Sequence, residues 1–214
     1  MNRRKYSTKL VALTLLLSVF SCNKDTELIV NASPYGPPND MRKIIPFDLG
    51  YSWTYRVIAC VDFGPPFCDT GITSRTIVGR TNFDSHTAYY VYGLIDETIG
   101  YYLEYADSSS YVRFLSAFPP ESPRRILQAP LRKGHKWKYS VIDTIALRPD
   151  TLEIVNADST VNIESKTYHH AIVVQGHSGL LTLEFIIVPN IGIVREYRGH
   201  GFGSYSVDLV RKNF

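Results

Sequence analysis

Three cysteines, six histidines and a few carboxylates are the groups through which this chain could do chemistry. Cys60 and Cys68 enclose the seven residues "VDFGPPF", in which Gly64-Pro65-Pro66 supplies a turn. Zinc is a poor occupant, because two thiolates do not complete a tetrahedral site and no companion Cys-x-x-Cys exists. In an exported chain the even pair predicts a disulfide. Closing the nine-residue ring removes ~2.6 kcal/mol of unfolded-state entropy in the chain-entropy account. His169 and His170 are adjacent, so on a strand they face opposite sides and do not chelate together. His177 lies by the turn "QGHSG" and His200 in "RGHGFGS". No spacing among them demands a metal, and they read as surface or turn residues.

The stretch "GHGFG", Gly199 to Gly203, superficially resembles a phosphate-binding loop. Phosphate binding of that kind needs a following helix whose N-terminus meets the anion. "SYSVDLV" follows instead, a strand pattern, so the stretch reads as a hairpin turn. There is no Gly-x-Ser-x-Gly nucleophile elbow. Asp96-Glu97 falls at a turn. Glu104 and Glu184 hold equivalent places on aromatic-rich strands. A glycosidase needs two carboxyls ~5–9.5 Å apart in a cleft, and these two would have to meet across an internal pseudo-twofold. The patterns assign no catalytic residue, no metal ligand and no cofactor, and the expectation is a protein that is not an enzyme.

An aromatic phrase is written twice. "PFDLGYSWTY" runs from Pro46 to Tyr55, and "PLRKGHKWKY" from Pro130 to Tyr139, with the chain's two tryptophans at matching places. On strands, Trp53 and Tyr55 point to one face, as do Trp137 and Tyr139. Large aromatics at matching points of two halves either anchor a core or form an exposed platform for an apolar or glycan ligand. "YLEYADSSSYVRF" and "TLEFIIVPNIGIVREY" extend the echo. Leu103-Glu104-Tyr105 matches Leu183-Glu184-Phe185, and Val112-Arg113 matches Val194-Arg195.

The first 22 residues read as a targeting segment. Arg3, Arg4, Lys5 and Lys9 precede an apolar run of 11 residues, Leu10 to Phe20, too short for the roughly 20 residues of a spanning helix. "SVFSC" ends it, and a small residue before cysteine resembles the lipobox of bacterial lipoproteins. The resemblance implies that Cys22 receives a diacylglyceryl group and becomes the first residue of the mature chain. Two or three acyl chains, at ~0.8 kcal/mol per buried methylene, then hold the protein on a membrane. The whole chain carries 23 Lys+Arg against 20 Asp+Glu; without the segment's four bases the balance is 19 to 20. A nearly neutral mature chain lacks the basic surface of a nucleic-acid binder.

Residues 23–43, with "NASPYGPPND", offer little to bury and read as a tether. From Ile44 onward short β-branched and aromatic runs alternate with Gly, Asp, Ser, Asn and Pro. No amphipathic helix is evident. The expected architecture is one antiparallel all-β domain over 44–214, a curved sheet, sandwich or half-barrel, built from related halves at about 44–122 and 123–214.

The order "FDLGYSWTYRV", "YYLEYADSSSYVRFL", "APLRKGHKWKY", "FIIVPNIGIVREY" resembles the small uncharacterised outer-membrane lipoproteins of Bacteroidetes. Their text has a G-x-x-W-x-Y strand near the start and an aromatic-x-x-P-G-[VI]-G-[LIV]-V strand near the end; here Asn190 stands at the first glycine of the latter. Lys24-Asp25-Thr26-Glu27 resembles the charged tag of members sent to the outer face of the outer membrane. The resemblance implies an extracytoplasmic β domain with no assigned activity. The resulting expectation is a lipid-anchored envelope protein acting as a binding or structural module. The alternatives are a carrier of an apolar or carbohydrate ligand and an envelope glycan or lipid hydrolase.

Overall fold

The computed structural model describes residues 40–62, 67–95, 98–114, 116–117, 120–121, 123–140, 151–179 and 181–214. Cys22, the targeting segment, most of the tether, the Gly64-Pro65-Pro66 turn and the Asp96-Glu97 turn lie outside these residues. In the first half the strands are β1 (Ser52–Val61), β2 (Phe67–Phe83), β3 (His86–Ile95), β4 (Thr98–Ala106), β5 (Ser110–Arg113), β6 (Ser116–Ala117), β7 (Pro120–Glu121) and β8 (Arg124–Gln128). The second half holds β9 (Lys136–Lys138), β10 (Thr151–Ile163), β11 (Lys166–Ser178), β12 (Leu181–Val188), β13 (Gly192–His200) and β14 (Gly203–Asn213).

Twelve of these strands form one antiparallel sheet, in the order β8-β5-β4-β3-β2-β1-β14-β13-β12-β11-β10-β9, while β6 and β7 form a separate small hairpin. The order is an up-and-down meander broken twice, where β5 pairs with β8 past the β6–β7 hairpin and where the first strand pairs with the last. The two sheet edges then approach each other. Arg124 bridges Ser140, the Arg125 N–H donates to the Tyr139 carbonyl at 2.8 Å, and the Trp137 indole N–H donates to the Arg125 carbonyl at 2.8 Å. The sheet is thereby nearly closed into a barrel, which removes most of the unpaired edge that an open sheet exposes.

Six strands lie on each side of the seam between β1 and β14, and β8 falls on the side of β1. Pairing decides this: β8 completes β5, and β9 begins the next meander beside β10. β9 itself is only three residues long, Lys136–Lys138. The domain also begins before Ile44. A short 3-10 turn, Met41–Lys43, is capped by the Asp40 side chain, and Met41 is fully buried. The Met41 N–H donates to Asp107 O after β4, and Ile44 O accepts from Asn190 N after β12. The segment thus straps together the turn after β4 and the turn after β12. Phe47 continues it inward and stacks on Tyr89 at 4.8 Å.

The repeated phrase makes the same glycine turn each time, with Tyr51 N donating to Asp48 O and His135 N to Arg132 O, although only the second copy opens on a cis peptide bond, Ala129-Pro130. Gly50 and Gly134 adopt φ of +83° and +84°, a region L side chains avoid, so glycine fixes the turn that launches β1 and precedes β9. A second echo lies at the tips of two long hairpins, "NFDSHT" at 82–87 and "NIESKT" at 162–167, where Asp84, Ser85 and Glu164 take positive φ. Each tip buries an apolar residue. Phe83 packs against the cluster of Ala88, Leu103, Val112 and Phe114, and Ile163 joins Ile186, Val188 and Val194. Arg56 Nη1 donates to Glu164 Oε2 at 2.7 Å and pins the second tip to β1.

Candidate functional site

Alternation puts Trp53, Tyr55, Arg75, Tyr102, Glu104, Tyr111 and Arg113 on one face of adjacent strands, as the registers Trp53↔Arg75, Glu104↔Arg113 and Ala106↔Tyr111 show. That face is the interior. Arg113 on β5 donates from Nη1 to Glu196 Oε2 on β13 at 3.0 Å, although the two strands are six places apart in the twelve-strand order. Opposite walls therefore touch, and the barrel is flattened like a sandwich rather than left with a lumen.

The contact between the walls is ionic. Glu104, with no exposed surface, accepts from Arg113 Nε through Oε1 at 2.7 Å and from Arg75 Nη2 through Oε2. Glu196 accepts from Arg113 and, at 2.6 Å, from Arg198 Nη2. Three guanidinium groups thus share two carboxylates. Arg75 Nη2 also donates to the Tyr111 hydroxyl at 3.3 Å. Arg75 Nε and Nη1 are buried without hydrogen-bond partners, but the guanidinium lies over the Trp53 ring, Cζ 4.7 Å from the centroid. The ring's electron-rich face takes the place of an acceptor there. The space left beside Arg75, Arg113, Ile193 and Val207 is about 30 Å³, enough for about two water molecules.

Tyr55 completes this interior, its hydroxyl donating to Ile193 O at 3.1 Å. Burial pushes its phenol up to about 12, against a smaller opposing pull from Arg75. A folded pKa above the unfolded ~10 means that the stabilisation is complete below pH ~10 and is lost as pH rises toward 12. The wild type is expected to lose up to roughly 2.7 kcal/mol more than Tyr55→Phe over that interval. Denaturant unfolding at pH 9 and pH 12 measures it, and parallel losses in the two proteins would refute it.

The outer face of the second half carries a groove of about 450 Å³ across β12, β13, β14 and β1. Its rows follow the register. Glu184, Tyr197, Ser206 and Ile58 form one, and Arg195, Asp208 and Arg56 the next. Arg195 grips Asp208 bidentately at 2.6 and 2.8 Å. This pairing, with burial opposing it, holds the Arg195 guanidinium above its ordinary pKa. Gln175 Nε2 donates to Glu184 Oε2 at 2.7 Å.

Trp53, Tyr55, Trp137 and Tyr139 are all buried and are not available as an exposed ligand platform. Their rings are consumed by packing, two in each of the two large clusters, and both indole N–H groups are spent on backbone carbonyls. Cys60 and Cys68 are direct cross-strand partners, bonded as a disulfide with Cα atoms 4.1 Å apart. Glu104 and Glu184 do not converge. Glu104 faces inward, whereas Phe185 pairs with the inward Glu196, so Glu184 faces out. The matching text is out of phase by one residue relative to the interior. His169 and His170 are exposed and contact Thr160 and Asp158 respectively. "GHGFG" is a two-residue hairpin turn, with His200 paired to Gly203. Among the described residues no group of three His, Cys, Asp or Glu side chains could hold a metal ion, and no helix is long and apolar enough to cross a membrane.

Sequence reasoning passed over Arg75, Glu196 and Arg198. Nothing local marks a charged residue on an alternating strand as inward-facing. The groove had a fainter signal, the period-two polar series Ser204, Ser206, Asp208, which reads as an ordinary solvent face.

No known protein family matches the chain, and no curated protein does. One solved structure is similar, an inferred exported protein with YmcC-like fold from Bacteroides fragilis. It is 12% identical, with a TM-score of 0.41, over 80% of this chain and 99% of that one.

Proposed function

We propose that this chain is a lipid-anchored, non-enzymatic binding module of the cell envelope, held at the outer membrane through Cys22 and presenting its sheet exterior to ligands. The closed interior carries the reading. The inner face is committed to packing and to an ionic contact between opposite walls, and the room left there, about 30 Å³, is far below the ~300 Å³ or more of a small-molecule site. The outer groove of about 450 Å³ is within that range. The Cys60–Cys68 disulfide suits an oxidising, extracytoplasmic compartment, where the sequence before Cys22 would send the chain.

The test is Cys22→Ser in the full-length chain, with fractionation and palmitate labelling. Wild type is expected in the membrane fraction and labelled, the variant unlabelled and released by a wash. Membrane retention of an unlabelled variant would refute the anchor.

A further inference from the structure

The geometry points to the outer groove as a binding site for a neutral saccharide, one or two pyranose rings, seated on Tyr197 between Glu184 and the serines of β14. This rests on the binding-module reading above and names the ligand class.

The floor of the groove is built to be low and flat. Thr182, Gly199 and Ser204 stand side by side in register on β12, β13 and β14. A Cβ on Gly199 would come within 2.8 Å of the Tyr197 hydroxyl and 3.2 Å of its ring. The Tyr197 ring therefore lies along the strand over Gly199, an arrangement that a larger residue at 199 would prevent. A ring laid along a sheet keeps one face for the backbone and offers the other outward. The C–H face of a pyranose stacks on such a surface, since its polarised hydrogens meet the negative face of the ring.

The polar groups around that ring suit hydroxyls better than ions. Each sugar hydroxyl is donor and acceptor at once, and the rim offers both. Glu184 accepts from Gln175 through Oε2, and a carboxylate has two acceptor oxygens. The hydroxyls of Ser204 and Ser206 can donate or accept. Arg195 is held rigid by Asp208, so it adds donors in a fixed position rather than a free positive charge. With Glu184 and Asp208 against Arg195, and Arg56 in the same row paired to Glu164, the groove is net negative, which disfavours phosphate, sulfate and carboxylate ligands. Ile58 and Tyr197 are the lining residues with substantial apolar surface, too few for a lipid tail. The volume of about 450 Å³ lies in the range of small-molecule sites.

The experiment is saturation-transfer difference NMR on the full lipidated protein in a non-glycosidic detergent, with methyl β-D-glucopyranoside and methyl β-D-galactopyranoside as probes and sodium glucuronate as the charged comparison. Transfer to the ring C–H protons of at least one neutral glycoside is expected, weaker for glucuronate. Tyr197→Ala, which removes the stacking face, and Ser206→Trp, which fills the groove, are each expected to weaken binding tenfold or more. Gly199→Val, which displaces the Tyr197 ring, does the same while retaining every polar group. Thermal melts identify variants that fail to fold, and one folded variant of the three suffices. Absence of transfer to both neutral glycosides at tens of millimolar, stronger binding of glucuronate, or undiminished transfer in the folded variants would overturn the proposal. Membrane retention is scored separately in the same preparations, so loss of the saccharide site leaves the anchor standing and the reverse also holds.

Discussion

Glu104→Gln is expected to destabilise the protein by about 3–5 kcal/mol, the range for removing one partner of a buried ion pair. Glu104 has no exposed surface and receives both Arg75 and Arg113. The substitution preserves shape but leaves Arg75 without its carboxylate and, among the described residues, Arg113 with Glu196 alone. Solvent cannot compensate, because Arg75 and Arg113 are 4% and 5% exposed. Arg75→Met in the same chain should recover part of the loss, since it withdraws the charge that the glutamine cannot balance. The measure is a double-mutant cycle by urea unfolding. A single-variant loss below about 1 kcal/mol, or strict additivity of the two substitutions, would show that the wall-to-wall contact is not held by this network.

The network also marks how far the sequence could be read. Period-two runs of β-branched and aromatic residues identify strands, and short turns place each strand beside the next. That local logic yields almost the whole meander. It cannot yield the β1–β14 pair, whose strands lie at opposite ends of the domain, because no turn connects them. Alternation separates two faces of every strand without saying which is inside. At Trp53 and Tyr55 size settles it, since burying large rings is strongly favourable. At Glu104 and Glu184 a shared Leu-Glu-aromatic text faces in once and out once, and only the register with β5 and β13 decides. A register shift between Ile186 and Ile187 on β12 accompanies the change, and a bulge of that kind is invisible in the residues themselves. The groove is the outward consequence of this phase change. It turns Glu184 and Arg195 toward solvent, whereas in the first half Glu104 and Arg113 are sealed within.

Trp53→Ala and Trp137→Ala are each expected to cost about 3–5 kcal/mol, the loss of a buried aromatic plus its cavity, with Trp53→Ala the more severe. Trp137 is 5% exposed and Trp53 not at all. Both donate an indole hydrogen bond to a carbonyl, Ile191 O at 2.7 Å for Trp53 and Arg125 O at 2.8 Å for Trp137. The carbonyls they satisfy differ in consequence. Arg125 lies on β8, so losing Trp137 weakens the seam where the barrel closes, whereas Ile191 precedes β13, which β14 separates from β1. Trp53 has a second role that Trp137 lacks. Its ring lies beneath the Arg75 guanidinium, and the residue paired with Trp137 on β10 is Leu152. Truncation at 53 therefore removes the surface that makes an incompletely hydrogen-bonded arginine tolerable, while truncation at 137 leaves a cavity and an unsatisfied Arg125 carbonyl but strands no charge. Trp53→Phe separates the two effects. It keeps an aromatic face under Arg75 and loses the indole donor, so its cost should fall to about 1–3 kcal/mol, that of an orphaned buried acceptor. Combining Trp53→Ala with Arg75→Met should cost less than the sum of the two singles. Urea unfolding of the five variants decides the matter. Equal losses at 53 and 137 with full additivity at 53 and 75 would mean that the tryptophan supports the core by volume alone and not the charge above it.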